Sequence, residues 1–425
     1  MFHIIDTTTN LSIFLSISLA KKMFNWYYRI EKVLMGDLKV KNIKNNKSKL
    51  SAIKTCIIFF IIVTIIFVVA RYIADENFRN SFDTHILKKE LSESNLSTIE
   101  INSDTNPYVY SYDKYITVLS KNKFIEYTSD GNMHASLDVN ISVPLIDSDG
   151  SYLVLAEKEG QKLYLISGNN ILWQDNIEGK ISKVRVNKNG YVSIIITNTT
   201  YKSVIVVYRT DGTELFRRYL ASNYALCTDI SDNNKYLAIG EVDYSGTIIN
   251  SYVNVISIQL AQSNPNNSIV NTYQSESGEI ITNINYFDKD SAMCMFNSYI
   301  QKVTSTDNER MYDINTSDLF IDINLDNNIG IVRKQSSGMF SYEYELAIRS
   351  LNNNESLYIL NKDVPKSIIV KHNLIALCFG NELKIVNTNA WLLKNYTSSK
   401  EIKNIVLGDS IAGIVYKNKI EIINL

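Results

Sequence analysis

Few residues in this chain have side chains suited to metal or redox chemistry. It has four cysteines and four histidines among 425 residues. The histidines are His3, His85, His134 and His372. They are too scattered to predict a zinc site, which needs several ligands at short spacing. The cysteines are Cys56, Cys227, Cys294 and Cys378. The last three lie in apolar runs such as AMCMF and ALCFG, so we expect small core residues rather than disulfides.

Catalytic signatures are also missing. There is no Walker A loop, G-x-G-x-x-G, H-E-x-x-H or G-x-S-x-G. Two fragments match serine-enzyme motifs, Ser120-Lys121-Asn122-Lys123 (S-x-x-K) and Ser231-Asp232-Asn233 (S-D-N). S-x-x-K needs a helix to bring Lys beside Ser, whereas both fragments are predicted at strand ends or turns, and no K-T-G follows. The sequence therefore predicts no catalytic residues, and we expect the protein not to be an enzyme.

Acidic clusters offer weak metal signals. Asp147-Ser148-Asp149-Gly150 begins like a calcium loop, but the twelfth position is Lys158 instead of Glu. Two further pairs, Asp229 with Asp232 and Asp288 with Asp290, fit turn formers better than ligands. We therefore predict no metal-binding and no cofactor-binding residues, and the position of any ligand site stays unknown at this level.

The near-zero net charge hides a strong asymmetry. Residues 1–74 hold 11 basic and 3 acidic side chains, and the remainder holds 32 and 41. The large C-terminal part is thus acidic overall. Nucleic-acid binding relies on basic surface that neutralises phosphates, so a nucleic-acid partner is not expected.

One long apolar run predicts a membrane anchor. Between Cys56 and Ala70 the sequence is CIIFFIIVTIIFVVA, bracketed by Lys54 and Arg71. Counted over 53–73, a helix of this length reaches across the roughly 30 Å of bilayer hydrocarbon. A buried core helix is the alternative, but such helices rarely exclude polar residues on every face. The pattern of a cleaved signal peptide is missing.

Flanking charge predicts the orientation of this anchor. Residues 21–54 carry ten Lys or Arg, whereas residues 71–105 carry four together with seven acids. By the positive-inside rule, residues 1–52 form a basic cytoplasmic tail and the C-terminal part is extracytoplasmic. Within the tail, FNWYYRIEKVLM (24–35) has the composition of an interfacial helix on an anionic leaflet. Residues 74–96 show helical apolar spacing and predict a juxtamembrane stalk helix.

From residue 97 to 425 the sequence indicates an all-β domain built from a repeat. Short runs rich in Ile, Val, Tyr and Leu alternate with polar turns, with no sustained helical period. A turn followed by an apolar strand recurs eight times at intervals of 37, 39, 45, 56, 37, 45 and 37 residues. The turn positions are Asp113, Gly150, Asn189, Asn234, Asp290, Asn327, His372 and Asp409.

This spacing fits the blade of a β-propeller, which needs four short strands and their connections. One unit shows all four strands, at 181–187, 191–198, 203–210 and 214–220, with Thr210-Asp211-Gly212-Thr213 as a hairpin turn. The last unit has three strands, and STIEIN (97–102) is free to complete it and close the ring. We predict eight blades; seven is the alternative, if the Asp290 or His372 unit is not a blade.

The basic tail, the single apolar helix and the Asn-, Ile- and Lys-rich repeats resemble a family of membrane-anchored β-propeller proteins of unknown function from low-GC Gram-positive bacteria. The resemblance covers nearly the whole chain and rests on architecture and composition. The repeat domain is more distantly similar to WD-repeat and quinoprotein-type propellers. It lacks the Gly-His and Trp-Asp signature of the first and the Trp per blade of the second, since only Trp173 and Trp391 lie in it. The resemblance implies a fold, with no functional residues.

Aromatic rows offer one candidate surface. Tyr108, Tyr110 and Tyr112 alternate along one strand, as do Phe340, Tyr342 and Tyr344 beside Glu343 and Glu345. Such rows stack on sugars when exposed, although packing between blades is the more common role. The longest insertion, 261–279, is polar and is expected to be a flexible loop.

Together these patterns predict a single-pass membrane protein with an extracytoplasmic propeller at the bacterial cell envelope. We expect it to act as a scaffold or ligand-binding module without catalysis, in contact with the lipid bilayer. The expected partner is an envelope protein, with a cell-wall glycan as another candidate. The alternative is an envelope enzyme or cofactor-bearing propeller, and convergence of acids, His or Arg from several blades on the central channel would favour it.

Overall fold

The computed structural model describes residues 59, 63–73, 96–102, 107–120, 122–336 and 342–425. The chain divides into two compact units, Met1–Glu76 and Asn77–Leu425. In the first unit residues 63–73 are helical. Among the described residues, no helix has both the length and the apolar character needed to cross a membrane. The predicted tail lies outside the described residues, as do Cys56 and the stalk helix apart from Leu96.

Within the described part of the second unit the chain forms eight four-stranded antiparallel sheets. We call them blades 1 to 8, in the order in which the chain enters their first strands. Blades 1 to 4 comprise β2 (Tyr108–Tyr112), β3 (Tyr115–Ser120), β4 (Lys123–Tyr127), β5 (Met133–Asp138); β6 (Pro144–Asp149), β7 (Tyr152–Glu157), β8 (Lys162–Ser167), β9 (Asn170–Asn176); β10 (Lys180–Val186), β11 (Val192–Thr197), β12 (Ser203–Tyr208), β13 (Glu214–Leu220); and β14 (Tyr224–Ile230), β15 (Tyr236–Asp243), β16 (Asn250–Ser257), β17 (Ile269–Gln274).

Blades 5 to 8 follow the same scheme. Their strands are β18 (Ile281–Tyr286), β19 (Ala292–Phe296), β20 (Tyr299–Val303), β21 (Asn308–Asp313); β22 (Asp318–Leu325), β23 (Asn328–Ser336), β24 (Tyr342–Ser350), β25 (Glu355–Asn361); β26 (Ser367–Lys371), β27 (Leu374–Cys378), β28 (Glu382–Asn387), β29 (Leu392–Thr397); and β30 (Asn404–Leu407), β31 (Ile411–Val415), β32 (Lys419–Asn424) with β1 (Ser97–Glu100). The prediction of four strands over 181–220 is confirmed.

The blades form a closed ring, and the prediction of an eight-bladed propeller is confirmed. The first strand of each blade contacts the first strand of the next all the way round, including β30 with β2. Blade 8 takes its fourth strand from the start of the domain, because β1 pairs with β32 in the register Thr98 to Glu421 and Ile99 to Ile420. The predicted closure of the ring by STIEIN is therefore confirmed. The Asp290 and His372 units are both blades, so the alternative of seven blades is wrong.

The core lies between the blades rather than at the centre. Eight clusters of buried apolar side chains each join two neighbouring blades. The middle strands are covered on both faces: Val204 to Val207 of β12 are all buried. Buried strands read as continuous apolar runs instead of alternating ones, which is why the sequence shows runs such as SVIVVY. Cys227, Cys294 and Cys378 are free and buried, as expected for small core residues.

The predicted turns connect the first and second strands of all eight blades. Five of the eight anchor residues, Asp113, Gly150, Asn234, Asn327 and His372, have positive φ between 51° and 59°. Tight hairpins need this left-handed backbone, and Gly, Asn and Asp tolerate it best. This requirement explains the polar and glycine signals that mark the repeat.

One loop prediction is wrong. The stretch 261–279 ends a short helix (Ile258–Ser263), forms a 3-10 turn (Pro265–Asn267) and then contributes β17, the outer strand of blade 4. Four of the six residues of the outer strand IVNTYQ are exposed and none is fully buried. Since it packs on one side alone, it carries too few apolar residues to be recognised as a strand.

Because the strands are antiparallel, the first-to-second-strand turns of all blades lie on one face of the ring, which we call the mouth face. The second-to-third-strand turns and the connections between blades lie on the opposite face.

Candidate functional site

A polar cavity of about 510 Å³ opens at the centre of the mouth face. Its walls are the ends of the first strands and the following turns of blades 2 to 7. The lining comprises Asp147, Ser148, Asp149, Arg185, Val186, Asn187, Lys188, Asp229, Ile230, Asp232, Asn285, Tyr286, Phe287, Asn324, Asp326, Asn327, Val370, Lys371 and His372. The propeller ring therefore brings charged residues that are far apart in sequence to the same place.

Arg185, on the first strand of blade 3, joins three blades beneath this cavity. Its Nη1 lies 3.5 Å from Asp147 Oδ1 in blade 2, and its Nε lies 3.5 Å from Asp229 Oδ1 in blade 4. Its Nη2 also donates to the carbonyl of Ile284 over 3.4 Å. Burial disfavours the charged guanidinium, but the two carboxylates outweigh it and raise the pKa of Arg185. The side chain is thus a fixed cation that ties blades 2, 4 and 5 to blade 3.

Both acidic partners of Arg185 are also fixed by main-chain amides. Asp147 accepts the N–H of Val186 at 2.9 Å, and Asp229 accepts the N–H of Tyr286 at 2.6 Å. Burial raises the pKa of Asp229 to about 6, with Arg185 and the amide of Tyr286 opposing the rise. Asp229 was predicted to be a turn former, and this prediction is wrong, because the residue lies in β14 and connects blade 4 to blade 5.

A second, smaller cavity of about 240 Å³ shares Asp147 and Arg185 with the first. Its other walls include Lys183, Cys227, Thr228 and Asn283. The Arg185 to Asp147 ion pair therefore lines both cavities. The cavity at the mouth is the larger of these two.

Blade 7 reaches across the mouth. Lys371 Nζ donates to the carbonyl of Ser148 at 2.7 Å and to its Oγ at 3.3 Å, although the residues are 223 positions apart. This contact joins blade 7 to blade 2 across the ring. Lys371 thus narrows the opening on the side where blades 8 and 1 lie.

His372 lies among carboxylates from three other blades. Its Nδ1 is 3.4 Å from Asp326 Oδ1, and its Nε2 is 3.4 Å from Asp409 Oδ1 and 4.0 Å from Asp149 Oδ1. The hydrogen bond to Asp326 and the charge of Asp409 raise the pKa of His372 against the effect of burial. Burial raises the pKa of Asp149, which the nearby His372 and Lys371 oppose.

The turns of blades 3 and 4 form a cross-linked part of the rim. Asn187 Nδ2 donates to Ser231 O at 3.1 Å and to Asn234 Oδ1 at 2.6 Å. Lys188 forms an ion pair with Asp232. Ser231-Asp232-Asn233, the S-D-N match, is therefore part of this turn, as predicted, and contributes to the cavity through Asp232.

Carboxylates outnumber cations at the mouth. The carboxylates are Asp147, Asp149, Asp229, Asp232, Asp326 and Asp409. The cations are Arg185, Lys188 and Lys371, with His372 titratable. This leaves an excess of three negative charges when His372 is neutral. A concave surface of one predominant sign raises the local concentration of opposite charge.

The other sequence candidates do not reach the channel. Ser120 and Lys123 flank a hairpin turn between β3 and β4, where Ser120 Oγ donates to the carbonyl of Lys123 at 3.4 Å. Asp288 is a turn former, accepting the amide of Asp290 at 2.7 Å. Within the described part of the chain, no group of three or more His, Cys, Asp or Glu is arranged to hold a metal ion.

The aromatic rows divide between packing and exposure. Tyr112 is buried between blades 1 and 2, where its hydroxyl donates to Ser151 O at 2.5 Å and accepts the amide of Gly168 at 2.8 Å. Tyr344 packs on the cluster between blades 6 and 7. Tyr108 and Tyr342 are exposed, and Phe340 lies outside the described residues.

Sequence reasoning missed Arg185 and Lys371, the two cations that join distant blades. The signal was present as a charged side chain inside an apolar first strand, in ISKVRVN and SIIVK. A polar residue at such a position faces the channel because its strand is the innermost of the blade. Its partners, however, belong to blades elsewhere in the ring.

The fold defines an eight-bladed β-propeller with a charged cavity at one mouth of its channel. The chain belongs to DUF5711, a family of unknown function, which it matches over residues 87–425. No curated protein matches it in sequence.

Solved structures give distant likenesses to other propellers. BamB from Moraxella catarrhalis is 10% identical with a TM-score of 0.48, and the match covers 79% of this chain and 97% of that one. The Cps50 (Swd1) β-propeller domain from Myceliophteria thermophila is 11% identical with a TM-score of 0.45, covering 77% and 99%. The C-terminal WD40 domain of Sif2 is 9% identical with a TM-score of 0.39, covering 67% and 97%.

Proposed function

We propose that this protein is a membrane-anchored binding module of the bacterial cell envelope, and that its ligand enters the mouth of the propeller channel. The observation that carries this proposal is the convergence of charged side chains from blades 2, 3, 4, 6 and 7 on one cavity. Its volume of about 510 Å³ lies in the range of small-molecule sites. The side chains are preorganised, because inter-blade hydrogen bonds hold Asp147, Asp229 and Lys371 in place.

The ligand group at this site is a cation, either an amine of a small molecule or a basic side chain of an envelope partner. The three carboxylates around His372 supply this preference. His372 Nε2 lies 4.0 Å from Asp149 Oδ1 and 3.4 Å from Asp409 Oδ1, so the two carboxylates share one imidazole. A ligand ammonium would neutralise carboxylates that one imidazole leaves partly uncompensated.

A direct test uses spermidine as probe and glutarate as the matched anion, with the melting temperature of the full-length protein as readout. We expect spermidine to raise the melting temperature, since a ligand that binds only the folded state stabilises it, and glutarate to leave it unchanged. The double variant Asp149→Asn, Asp409→Asn should lose the response, whereas Asp130→Asn, in an exposed turn of blade 1, should keep it. Equal responses in wild type and double variant would reject a cationic ligand at the mouth.

A second test separates a protein partner from a small ligand. A photo-crosslinking residue replaces Asn327 at the mouth, and a control carries it at Asn361, at the end of the fourth strand of the same blade on the opposite face; both positions are exposed. A protein captured from intact cells through position 327 and not through 361, and lost in the Asp149/Asp409 double variant, supports a scaffold role. A protein that is captured equally from both positions, and is still captured by the double variant, would contradict binding at the mouth.

The proposed location rests on the apolar run at 53–73 and on the excess of basic residues before it. We expect the full-length chain to sediment with membranes and to resist alkaline carbonate extraction. Protease added to cells without their wall should digest the propeller, leaving the N-terminal tail protected. Recovery of the intact chain in the soluble fraction would contradict the anchor.

The alternative function is an envelope enzyme acting at the same cavity. The observation that favours it is the pairing of His372 with Asp326, which holds the imidazole next to Asp149 and Asp409. An enzyme would turn over a ligand identified by the first two tests, and His372→Gln would abolish turnover while leaving binding measurable. A ligand recovered chemically unchanged after prolonged incubation with the protein supports the binding module.

A further inference from the structure

A group of four tyrosines lies on the opposite face of the ring from the channel mouth. Tyr201 is in the turn between the second and third strands of blade 3, and Tyr219 is near the end of its fourth strand. Tyr224 begins the first strand of blade 4, and Tyr244 follows its second. Tyr201, Tyr219 and Tyr244 are 41%, 49% and 52% exposed, and Tyr224 is partly exposed. We call these four residues the tyrosine patch.

The rings of the tyrosine patch are arranged in two pairs. Tyr201 and Tyr219 have ring centroids 4.7 Å apart at an interplanar angle of 42°, and Tyr224 and Tyr244 are stacked at 4.9 Å and 19°. Lys202 links the pairs, because it follows Tyr201 in the chain and its Nζ lies 5.1 Å from the ring centroid of Tyr224. Each pair fixes its rings while leaving part of each ring open to solvent.

The scaffold beneath the patch is hydrogen-bonded and buried. Lys202 N–H donates to Leu220 O at 2.9 Å, and the buried Ser203 Oγ accepts the amide of Ala225 at 3.1 Å. Asn223, beside Tyr224, donates to the buried carboxylate of Glu241 at 3.0 Å. These contacts hold the turns of two blades in register, so the exposed rings form a preorganised surface.

The chemistry of this surface fits a chain of pyranose sugars. Sugar rings present C–H groups that pack on aromatic faces, while their hydroxyls need polar partners. Tyrosine supplies both an aromatic face and a hydroxyl in one side chain. Exposed residues with hydroxyl groups lie within two positions of the tyrosines in the chain: Thr199, Thr200 and Ser222. The Thr199 hydroxyl also donates to the carbonyl of Tyr201 at 3.2 Å.

The charge of the patch distinguishes a neutral glycan from a polyanion as its partner. In the segments 198–202, 219–224 and 242–246, which carry the four tyrosines, the charged residues are Lys202 and Asp243, so the patch lacks the row of cations that a polyanion such as a nucleic acid requires. A protein partner is usually bound through a contiguous core of apolar and aromatic side chains. The segments 198–202 and 219–224 expose no aliphatic side chain larger than Ala221, since Leu220 is buried, so the rings stand beside polar groups and a sugar fits better.

We propose that the tyrosine patch is a second binding surface, on which a cell-wall glycan stacks across blades 3 and 4. The surface is separate from the channel mouth. The proposed glycan surface and the proposed ligand site in the channel can therefore be tested independently of each other. If this protein bound ligands on both faces at once, it would connect the cell-wall glycan with the ligand in the channel.

The test measures retention of the full-length protein on insoluble peptidoglycan, and its affinity for soluble chitopentaose. The variant is Tyr201→Ala, Tyr244→Ala, which removes one exposed ring from each pair. The matched control is Tyr342→Ala. Tyr342 is 51% exposed in blade 6, and Lys334 Nζ lies 3.5 Å from its ring centroid, so it is an exposed tyrosine beside a lysine outside the patch. Wild type and control should bind equally, and the double variant should bind roughly tenfold more weakly.

Two further measurements separate glycan binding from binding to anionic polymers and from loss of folding. Peptidoglycan freed of its attached anionic polymers by acid should retain the protein as well as untreated material, and Lys202→Gln should then change affinity less than the tyrosine substitutions do. A single variant, Tyr244→Ser in its exposed turn, guards against loss of folding, which an unchanged melting temperature confirms. Absence of wild-type retention on every glycan, or retention unaffected by the double substitution, would overturn the proposal. Patch-dependent capture of a protein without glycan binding would overturn it too, in favour of a protein surface.

Discussion

Arg185 Nε lies 3.5 Å from Asp229 Oδ1, so a cation from blade 3 meets a carboxylate from blade 4 inside the channel. The same guanidinium also reaches Asp147 of blade 2. Both acids accept main-chain amides of the next first strand in addition, from Val186 and Tyr286. The charged lining of the channel therefore contributes to the contact between blades as well as to the candidate site.

Arg185→Met should destabilise the propeller. The substitution removes the shared cation and leaves two carboxylates facing each other in a partly desolvated channel. We expect a loss of about 2–4 kcal/mol at pH 7.5, measured by urea denaturation. At pH 5.5 the loss should shrink, because Asp229, with its pKa of about 6, takes up a proton there.

Arg217→Met serves as the control for this substitution. Arg217 pairs with Glu214 three residues away on an outer strand. Such surface pairs contribute roughly 0.5 kcal/mol, so little change is expected. If the Arg185 and Arg217 variants unfolded at the same urea concentration, the structural role of the channel ion pairs would be refuted.

Glu126 should make the fold less stable at neutral pH and above than in mild acid. It is fully buried on β4, and neither carboxylate oxygen has a hydrogen-bond partner within the described part of the chain. Burial, together with the charge of Asp113, raises the pKa of Glu126 from 4.5 to about 7. Because the pKa of the folded state is the higher one, stability is full below the unfolded value and falls as the pH rises through about 7.

The test of this pH effect is Glu126→Gln, which keeps the shape and removes the charge. The variant should match wild type near pH 5 and exceed it at pH 8, by up to roughly 3 kcal/mol. Melting temperatures across this range give the comparison, with the exposed Glu178→Gln as control. A wild type and Glu126→Gln protein with parallel profiles would show that the carboxylate is accommodated in its charged form.

Ile99→Ala tests the closure of the ring. Ile99 is buried in the cluster between blades 8 and 1 and pairs with Ile420. Truncation of a buried Ile typically costs about 2–4 kcal/mol, and we expect that loss in the free energy of unfolding. The neighbouring Glu100→Ala, on the exposed side of the same strand, should change it by less than about 0.5 kcal/mol. Equal small effects would mean that β1 is dispensable for the ring.

Two glycines in turns form a matched pair. Gly190 and Gly168 both have positive φ, at 76° and 54°. A Cβ at Gly190 would lie 2.8 Å from the ring of Tyr152 and from Thr210 Cγ2, whereas a Cβ at Gly168 meets no atom within 4 Å. Gly168→Ala should cost about 1 kcal/mol for backbone strain alone, and Gly190→Ala clearly more. The order of the two melting temperatures checks this, and the reverse order would contradict it.

Most of the fold could be predicted because each blade repeats the same local physics. Polar turns with left-handed residues, such as Asn234 and Asn327, recur at blade spacing, and buried middle strands leave continuous apolar runs. Closure of the ring was predictable because the last unit has three strands and STIEIN (97–102), at the start of the domain, belongs to no other unit. The outer strand Ile269–Gln274 was missed because a strand that packs on one side carries a weak apolar pattern.

The candidate site could be predicted only in part. Asp149 and His372 were singled out at their turns, but the contact between them depends on the curvature of the whole ring. Lys371 and Ser148 meet across 223 residues, a pairing that no local pattern specifies. Local patterns identify the polar turn of each blade, but they do not show which of these turns converge.

The shared construction of blade 8 also constrains the order of synthesis. The ribosome makes β1 more than 300 residues before β30 to β32 are complete. Until those strands emerge, Val109, Ile116 and Val118 of blade 1 lack the apolar surface that covers them in the finished ring. The nascent propeller therefore exposes this apolar edge until the last blade is made, and a chaperone that covers the edge would prevent aggregation during that time.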